Sequence, residues 1–284
     1  MEHYETIRFA NRATPAERCG RTAIVVPCYN EAKRLPASVL AEAVERHRWL
    51  ELYLVDDGSR DGTAERLDRL ASCHPRRIHV LRLDCNRGKG EAVRQGILAA
   101  CASGAEFIGY WDADLATPLD QIPPMRDVLQ RLPRVDLVLG SRRPITGRSI
   151  RRRPLRRLLG RIFAGATSLV LRLPIYDTQC GAKLFRRTVE LERVVAEPFA
   201  SRWIFDVELL IRWRAMTGPD RAFEETVYEF PLDRWQDVGG SKLRRRDFAV
   251  ALRDLAHLAW HDRIRPARGS PSRPATCGSV RRAA

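Results

Sequence analysis

Between residues 22 and 140 short apolar runs alternate with longer amphipathic ones, and this alternation leaves few folds open to the chain. The apolar runs, at 22–27, 50–55, 77–83, 106–111 and 135–140, have the length and composition of buried strands. The stretches at 36–48, 61–72, 88–102 and 118–131 repeat apolar residues with the period of a helix. Strand and helix in strict succession predict an α/β fold, a mainly parallel sheet covered by helices on both faces. With 284 residues, 44% of them hydrophobic, the chain can bury a full core, and one domain over 21–262 is expected. Residues 1–20 are polar and without a clear period, a flexible lead-in. Residues 263–284, rich in Pro, Gly, Ser and Arg, hold too little apolar material to pack and are expected to be a disordered basic tail.

In such sheets ligands bind beyond the carboxyl ends of the strands, and three of the runs end in reactive groups. Gly109-Tyr110-Trp111 stops at Asp112-Ala113-Asp114, two acids one residue apart. Carboxylates so placed can share a hard divalent cation, Mg²⁺ or Mn²⁺, which substrate phosphates commonly complete. Leu52-Tyr53-Leu54-Val55 runs into Asp56-Asp57-Gly58-Ser59, and Ile24-Val25-Val26 into Pro27-Cys28-Tyr29-Asn30-Glu31. A ring for a base, acids for ribose and metal, and a cation for a diphosphate together describe a nucleotide site. Gly88-Lys89-Gly90 opens the third helix with a backbone and a cation able to approach phosphate.

The net charge of +15 is localised. Nine Arg and no acid lie in 142–161, six Arg and no acid in 263–284, and the rest of the chain is neutral. Two such patches point to an anionic partner in a definite place. From Leu155 to Leu173 the apolar residues fall at i, i+3, i+4 spacing, so 142–173 reads as an Arg-rich amphipathic segment. It fits a core-facing helix or one lying on an anionic membrane surface. The longest apolar run there, Ile162 to Leu171, is ten residues, too short to cross a bilayer. The N-terminus lacks the apolar core of a signal peptide. Seven scattered cysteines with no Cys-x-x-Cys pair indicate neither a disulfide framework nor a zinc site, which suits the reducing cytoplasm.

Taken together the motifs resemble those of the inverting family-two glycosyltransferases of GT-A fold, in particular the dolichyl-phosphate β-glucosyltransferase and polyprenyl-phosphate hexosyltransferase group. The resemblance rests on Val26-Pro27-Cys28-Tyr29-Asn30-Glu31, Val55-Asp56-Asp57-Gly58-Ser59, Asn86-Arg87-Gly88-Lys89-Gly90, Asp112-Ala113-Asp114, Gly140-Ser141-Arg142, Asp177-Thr178-Gln179-Cys180-Gly181, Trp203-x-Phe205-Asp206-Val207-Glu208 and Gly240-Ser241-Lys242-Leu243. It implies a Rossmann-like nucleotide-binding sheet and a metal-dependent nucleotide-sugar hexosyltransferase. It places Pro27, Tyr29, Glu31 and Asp57 at the donor nucleoside, Asp112 and Asp114 at the metal diphosphate, and Arg142 and Lys183 at phosphates, beside Lys89, which its own helix start makes a donor-binding candidate. The Asp-Thr-Gln-Cys-Gly pattern is closer to the glucosyl enzymes, which makes UDP-glucose the expected donor. Related mannosyl enzymes often carry Gln two places after the second metal Asp, where this chain has Ala116.

Three functions compete on these grounds. The first is hexose transfer to a polyprenyl phosphate, by a protein docked peripherally at the cytoplasmic face of an anionic membrane. The second is a soluble glycosyltransferase acting on a saccharide or metabolite hydroxyl, which needs a general base; Asp206 is the candidate. The third, nucleic-acid binding, is suggested only by the high isoelectric point and has no motif behind it, so no nucleic-acid partner is expected.

Overall fold

The computed structural model describes residues 20–143, 149–151, 175–202, 204–217 and 222–236, with isolated positions at 165, 167, 238 and within 250–258. The expected lead-in, most of the Arg-rich segment, Trp203, Gly240-Ser241-Lys242-Leu243 and the basic tail lie outside these residues. The described strands are β1 (Thr22–Cys28), β2 (Leu50–Asp56), β3 (Ile78–Arg82), β4 (Phe107–Trp111), β5 (Leu137–Ser141), β6 (Ser149–Arg151), β7 (Ala182–Arg186), β8 (Val227–Pro231) and β9 (Arg234–Gln236). The described helices are α1 (Ala37–Arg46), α2 (Thr63–Cys73), α3 (Lys89–Ala102), α4 (Ile122–Arg131), α5 (Val189–Ala196), α6 (Phe205–Met216) and the single turn α7 (Phe223–Thr226).

Seven strands form one sheet in the order β3-β2-β1-β4-β7-β5-β8, and β6 pairs with β9 in a small second sheet. The alternating pattern is realised in its five strands and four helices, displaced by no more than two residues at any end except at α4, which begins four residues later than expected, after a 3-10 turn at Leu119–Gln121. Strands β1 to β4 are mutually parallel, as are β5 and β8. Strand β7 runs antiparallel between β4 and β5. The sheet is thus mainly parallel, with one reversed strand at its middle.

Period-two alternation sends Ile24, Val26, Leu52, Leu54, Trp111 and Val138 to one face, where α1, α2 and α4 cover them. Val25, Val55, Ile108, Tyr110, Leu139 and Phe185 face α3, α5 and α6. Both faces being dry, β2 is buried at all seven positions, the acids Glu51 and Asp56 included. Helix α6 is buried from Phe205 through Leu210, which draws the polar Asp206 and Glu208 into the interior with it. Among the described residues no helix is long and apolar enough to cross a membrane.

Helix α3 lies close on the sheet at Gly96, where a Cβ would stand 2.3 Å from Val25 Cγ1 and 3.0 Å from Val55 Cγ2. Alanine there should therefore lower stability by about 1–3 kcal/mol, despite its helix propensity, because α3 must lift off β1 and β2. Urea unfolding of Gly96→Ala checks this; equal or greater stability would show that the sheet yields instead.

Candidate functional site

The parallel register brings three strand ends to one edge. Cys28 stands beside Asp56, and the Asp57 amide donates to Cys28 O at 2.8 Å, so the segments leaving β1 and β2 stay together. Asp56 accepts from the Ser59 amide at 3.0 Å and closes the turn after β2. Asn30, with φ of 51°, donates its amide to Ser59 Oγ at 3.0 Å and accepts from the Arg60 amide at 2.9 Å. Pro27 and Tyr29 sit half-buried beside this double turn. Glu31 is buried and takes a bidentate contact from Arg34, at 2.7 and 3.0 Å.

Asp57, expected at the nucleoside, is 2% exposed and organises a third loop. It accepts from the amides of Arg87 (2.7 Å) and Gly88 (2.9 Å) and from Asn86 Nδ2 (3.0 Å). Burial pushes its carboxyl above the ordinary value, against the pull of those donors. The loop it holds is the start of α3, and so Asp57 fixes where Lys89 begins. Arg202 closes the loop from the other side by donating to Asn86 O at 3.1 Å.

Strand β4 ends at Trp111, and the next residues form a tight turn in which the Leu115 amide donates to Asp112 O at 3.0 Å. Leu115 has φ of 49°, and the Ala116 amide donates to Asp114 Oδ1 at 3.1 Å, so both carboxylates are held on one short turn. Gly181 packs directly on Asp112: a Cβ would lie 1.9 Å from Oδ2, which only glycine avoids. Lys89 Nζ lies 2.5 Å from Asp112 Oδ1 and 5.7 Å from the centre of the Phe205 ring. Burial opposes its charge, but Asp112, Asp206 and Asp114 outweigh that and hold its pKa above the ordinary value. Asp114 is pushed up by burial and by the charges of Asp112 and Glu31. Such repulsion is what a bound divalent cation relieves. Among the described residues no three His, Cys, Asp or Glu are grouped to hold a metal alone. Two hard oxygen donors short of a full set suit Mg²⁺ or Mn²⁺ completed by phosphate oxygens.

The structure gives Arg142 and Lys183 definite occupations. Arg142 donates from Nε, Nη2 and its amide to Asp177, at 2.6, 2.7 and 3.0 Å, and stacks over Trp235 at 5.3 Å. Burial works against its charge, and Asp177 more than offsets this and holds the guanidinium well above its ordinary pKa. Lys183, expected at a phosphate, has a wholly buried side chain. Its ammonium donates to Thr178 O (3.0 Å), Cys180 O (2.9 Å) and Asp206 Oδ1 (2.5 Å), which engages all three of its protons. Tyr110, also fully buried, donates its hydroxyl to the same Asp206 oxygen. Burial and the Asp206 charge raise the phenol well above its usual pKa, so it stays a donor. Glu208 accepts from the amides of Ala200 and Ser201 and pairs with Arg212. Cys180 is buried, its thiol pushed up by burial, and is no nucleophile.

Tyr110 and Asp177 stand within quoted motifs, but neither was given a role of its own. Their signals are positional: Tyr110 lies two residues before Asp112 on a buried strand, and Asp177 is the acid nearest in sequence after the long Arg-rich stretch.

The profile of glycosyl transferase family 2 matches residues 23–192. The chain is 35% identical over 274 residues to a dolichyl-phosphate beta-glucosyltransferase of Trichomonas vaginalis, an alignment covering 91% of this chain and 76% of that protein. It is 34% identical to the human dolichyl-phosphate beta-glucosyltransferase, over 78% of this chain and 68% of that one. It is 29% identical to a polyprenol monophosphomannose synthase of Mycolicibacterium smegmatis, over 88% and 91%. Among solved structures, glucosyl-3-phosphoglycerate synthase of Mycobacterium tuberculosis, in complex with Mn²⁺, UDP-glucose and phosphoglyceric acid, superposes with a TM-score of 0.62 at 18% identity, over 88% of this chain and 82% of that one.

The Lys183–Asp206 pair yields a stability prediction. Lys183→Met should cost about 3–5 kcal/mol, since it strands a buried carboxylate. Adding Asp206→Asn, which keeps an acceptor for Tyr110, should recover a large part. A double-mutant cycle by urea unfolding measures the coupling; additive losses would show that the two charges do not support one another.

Proposed function

The chain belongs to glycosyltransferase family 2, and on that premise we propose that it transfers glucose from UDP-glucose to a polyprenyl phosphate of the dolichyl kind, inverting the anomeric centre. The observation that carries this reading is the occupation of Asp206. One of its oxygens is taken by Lys183 and Tyr110 and the residue is 3% exposed, which suits a structural anchor better than a base that must reach a substrate hydroxyl. A hydroxyl acceptor needs such a base. A phosphate acceptor does not, being an anion already at neutral pH with a second pKa of about 6. The dolichyl-phosphate and polyprenol-phosphate names of the relatives support the same acceptor, and their glucosyl names support the sugar.

In this mechanism Pro27 and Tyr29 flank the nucleoside, and Asp57 shapes the 86–88 loop beside it. Asp112 and Asp114 would hold Mg²⁺ or Mn²⁺, which supplies Lewis-acid stabilisation of charge on the departing diphosphate. Lys89 adds a second cation at the same place. Arg142, held by Asp177 with its guanidinium buried on Trp235, orients the phosphate of the acceptor for attack opposite the leaving group. The Arg-rich stretch beyond it brings the protein to an anionic membrane face, where each basic residue contributes about 1 kcal/mol.

Incubation of the protein with UDP-glucose and a short polyprenyl phosphate should give a glucosyl phospholipid by mass spectrometry. Transfer only to soluble hydroxyl acceptors would overturn the reading. Asp114→Asn should lower turnover by at least about a hundredfold, roughly 3 kcal/mol of barrier, while the melting temperature holds. Arg151, Arg152 and Arg153 changed together to Gln should weaken sedimentation with anionic liposomes yet spare activity on detergent-dispersed acceptor. Equal sedimentation of variant and wild type would remove these three from the docking surface.

A further inference from the structure

Lys89 stands where a metal would be needed. Its ammonium lies 2.5 Å from an oxygen of Asp112, and Asp114 and Asp206 add to the negative field around it. The backbone on its N-terminal side is tied down, because the Gly88 amide is bound to Asp57, whereas the Lys89 side chain keeps 36% of its surface exposed. The carboxylates themselves make no group of three among the described residues, so a cation arriving alone meets two acids, one of them already neutralised. An ammonium and a divalent ion on one carboxylate repel each other strongly at such separations. A diphosphate offers the ammonium another partner of greater charge, within reach of a flexible four-carbon stem.

We infer that Lys89 is a resident counter-ion of Asp112 which the nucleotide diphosphate draws away, so that this lysine carries a share of the coupling between nucleotide and divalent metal. The inference rests on the reading of Asp112 and Asp114 as metal ligands. Coupling of this kind is reciprocal: whatever UDP adds to the affinity for metal, metal adds to the affinity for UDP.

Electron paramagnetic resonance of free Mn²⁺ over the full chain tests it, with and without UDP, for the wild type, Lys89→Met, Lys89→Arg and Asp112→Asn. Wild type should bind Mn²⁺ weakly alone and on the order of tenfold more tightly with UDP. Lys89→Met should bind Mn²⁺ alone more tightly than wild type and respond less to UDP, the remaining response coming from phosphate oxygens on the metal, whereas Lys89→Arg, which keeps the charge, should match wild type. Thermal melts accompany each variant, and Lys89→Gln replaces Lys89→Met if the latter fails to fold. If Lys89→Met matches wild type in both conditions while Asp112→Asn loses Mn²⁺, the inference falls and the metal site stands. If Asp112→Asn binds Mn²⁺ and UDP as wild type does, the metal reading falls and takes the inference with it.

Discussion

The ammonium of Lys183 is the contact on which the site's geometry depends. It joins β7 to the turn at 178–180 through two carbonyls and to the first turn of α6 through Asp206, which in turn receives Tyr110 from β4. A charge with no solvent exposure survives only when each of its protons has an acceptor, and here each has one. The same turn carries Asp177, which clamps Arg142, and Gly181, which presses on Asp112. One buried charge therefore sets the distance between the residues assigned to the donor and those assigned to the acceptor.

Much of this was legible in the sequence, and what was not has a physical reason. Periodicity reports which face of an element is dry, so the strands and helices from 22 to 141 could be placed, as could the acids at their ends. Pairing between distant segments leaves no local trace, and the reversal of β7 between β4 and β5 was not readable from its own residues. Lys183 was expected at a phosphate from its place after Cys180-Gly181 in the family pattern. A closer cue was its setting, since Ala182, Leu184 and Phe185 make the strand apolar on both sides and leave a lysine within it no water. Asp57 was assigned from its motif to the nucleoside, whereas its three donors come from a loop some thirty residues on, a relation only the folded chain reveals.

The electrostatics divide the molecule by function. Acids gather at the ends of β2 and β4, where Asp57 and Asp114 are both held above their usual pKa, while the Arg excess of the sequence begins at Arg142. Carboxylates on one side and the Arg142 guanidinium on the other suit a reaction in which a cation-bound diphosphate leaves and a second anion arrives. Each anion then has its own cations, and their mutual repulsion is screened where they must approach.

The reversal of β7 has an architectural consequence. Because β5 runs toward the site edge and β7 starts from it, the chain leaves the sheet at Ser141 and re-enters at Ala182 from the same side, with Arg142 and Asp177 paired across the stem. The Arg142–Asp177 pair closes the ends of the connection, so a change in its length carries a loop-closure cost that grows only with the logarithm of its size. Strand β6 within it pairs with β9, so a replacement must keep that one ladder, while β1, β2 and β4 stay untouched. A single scaffold can in this way be refitted for a different second substrate by replacing one continuous piece of chain.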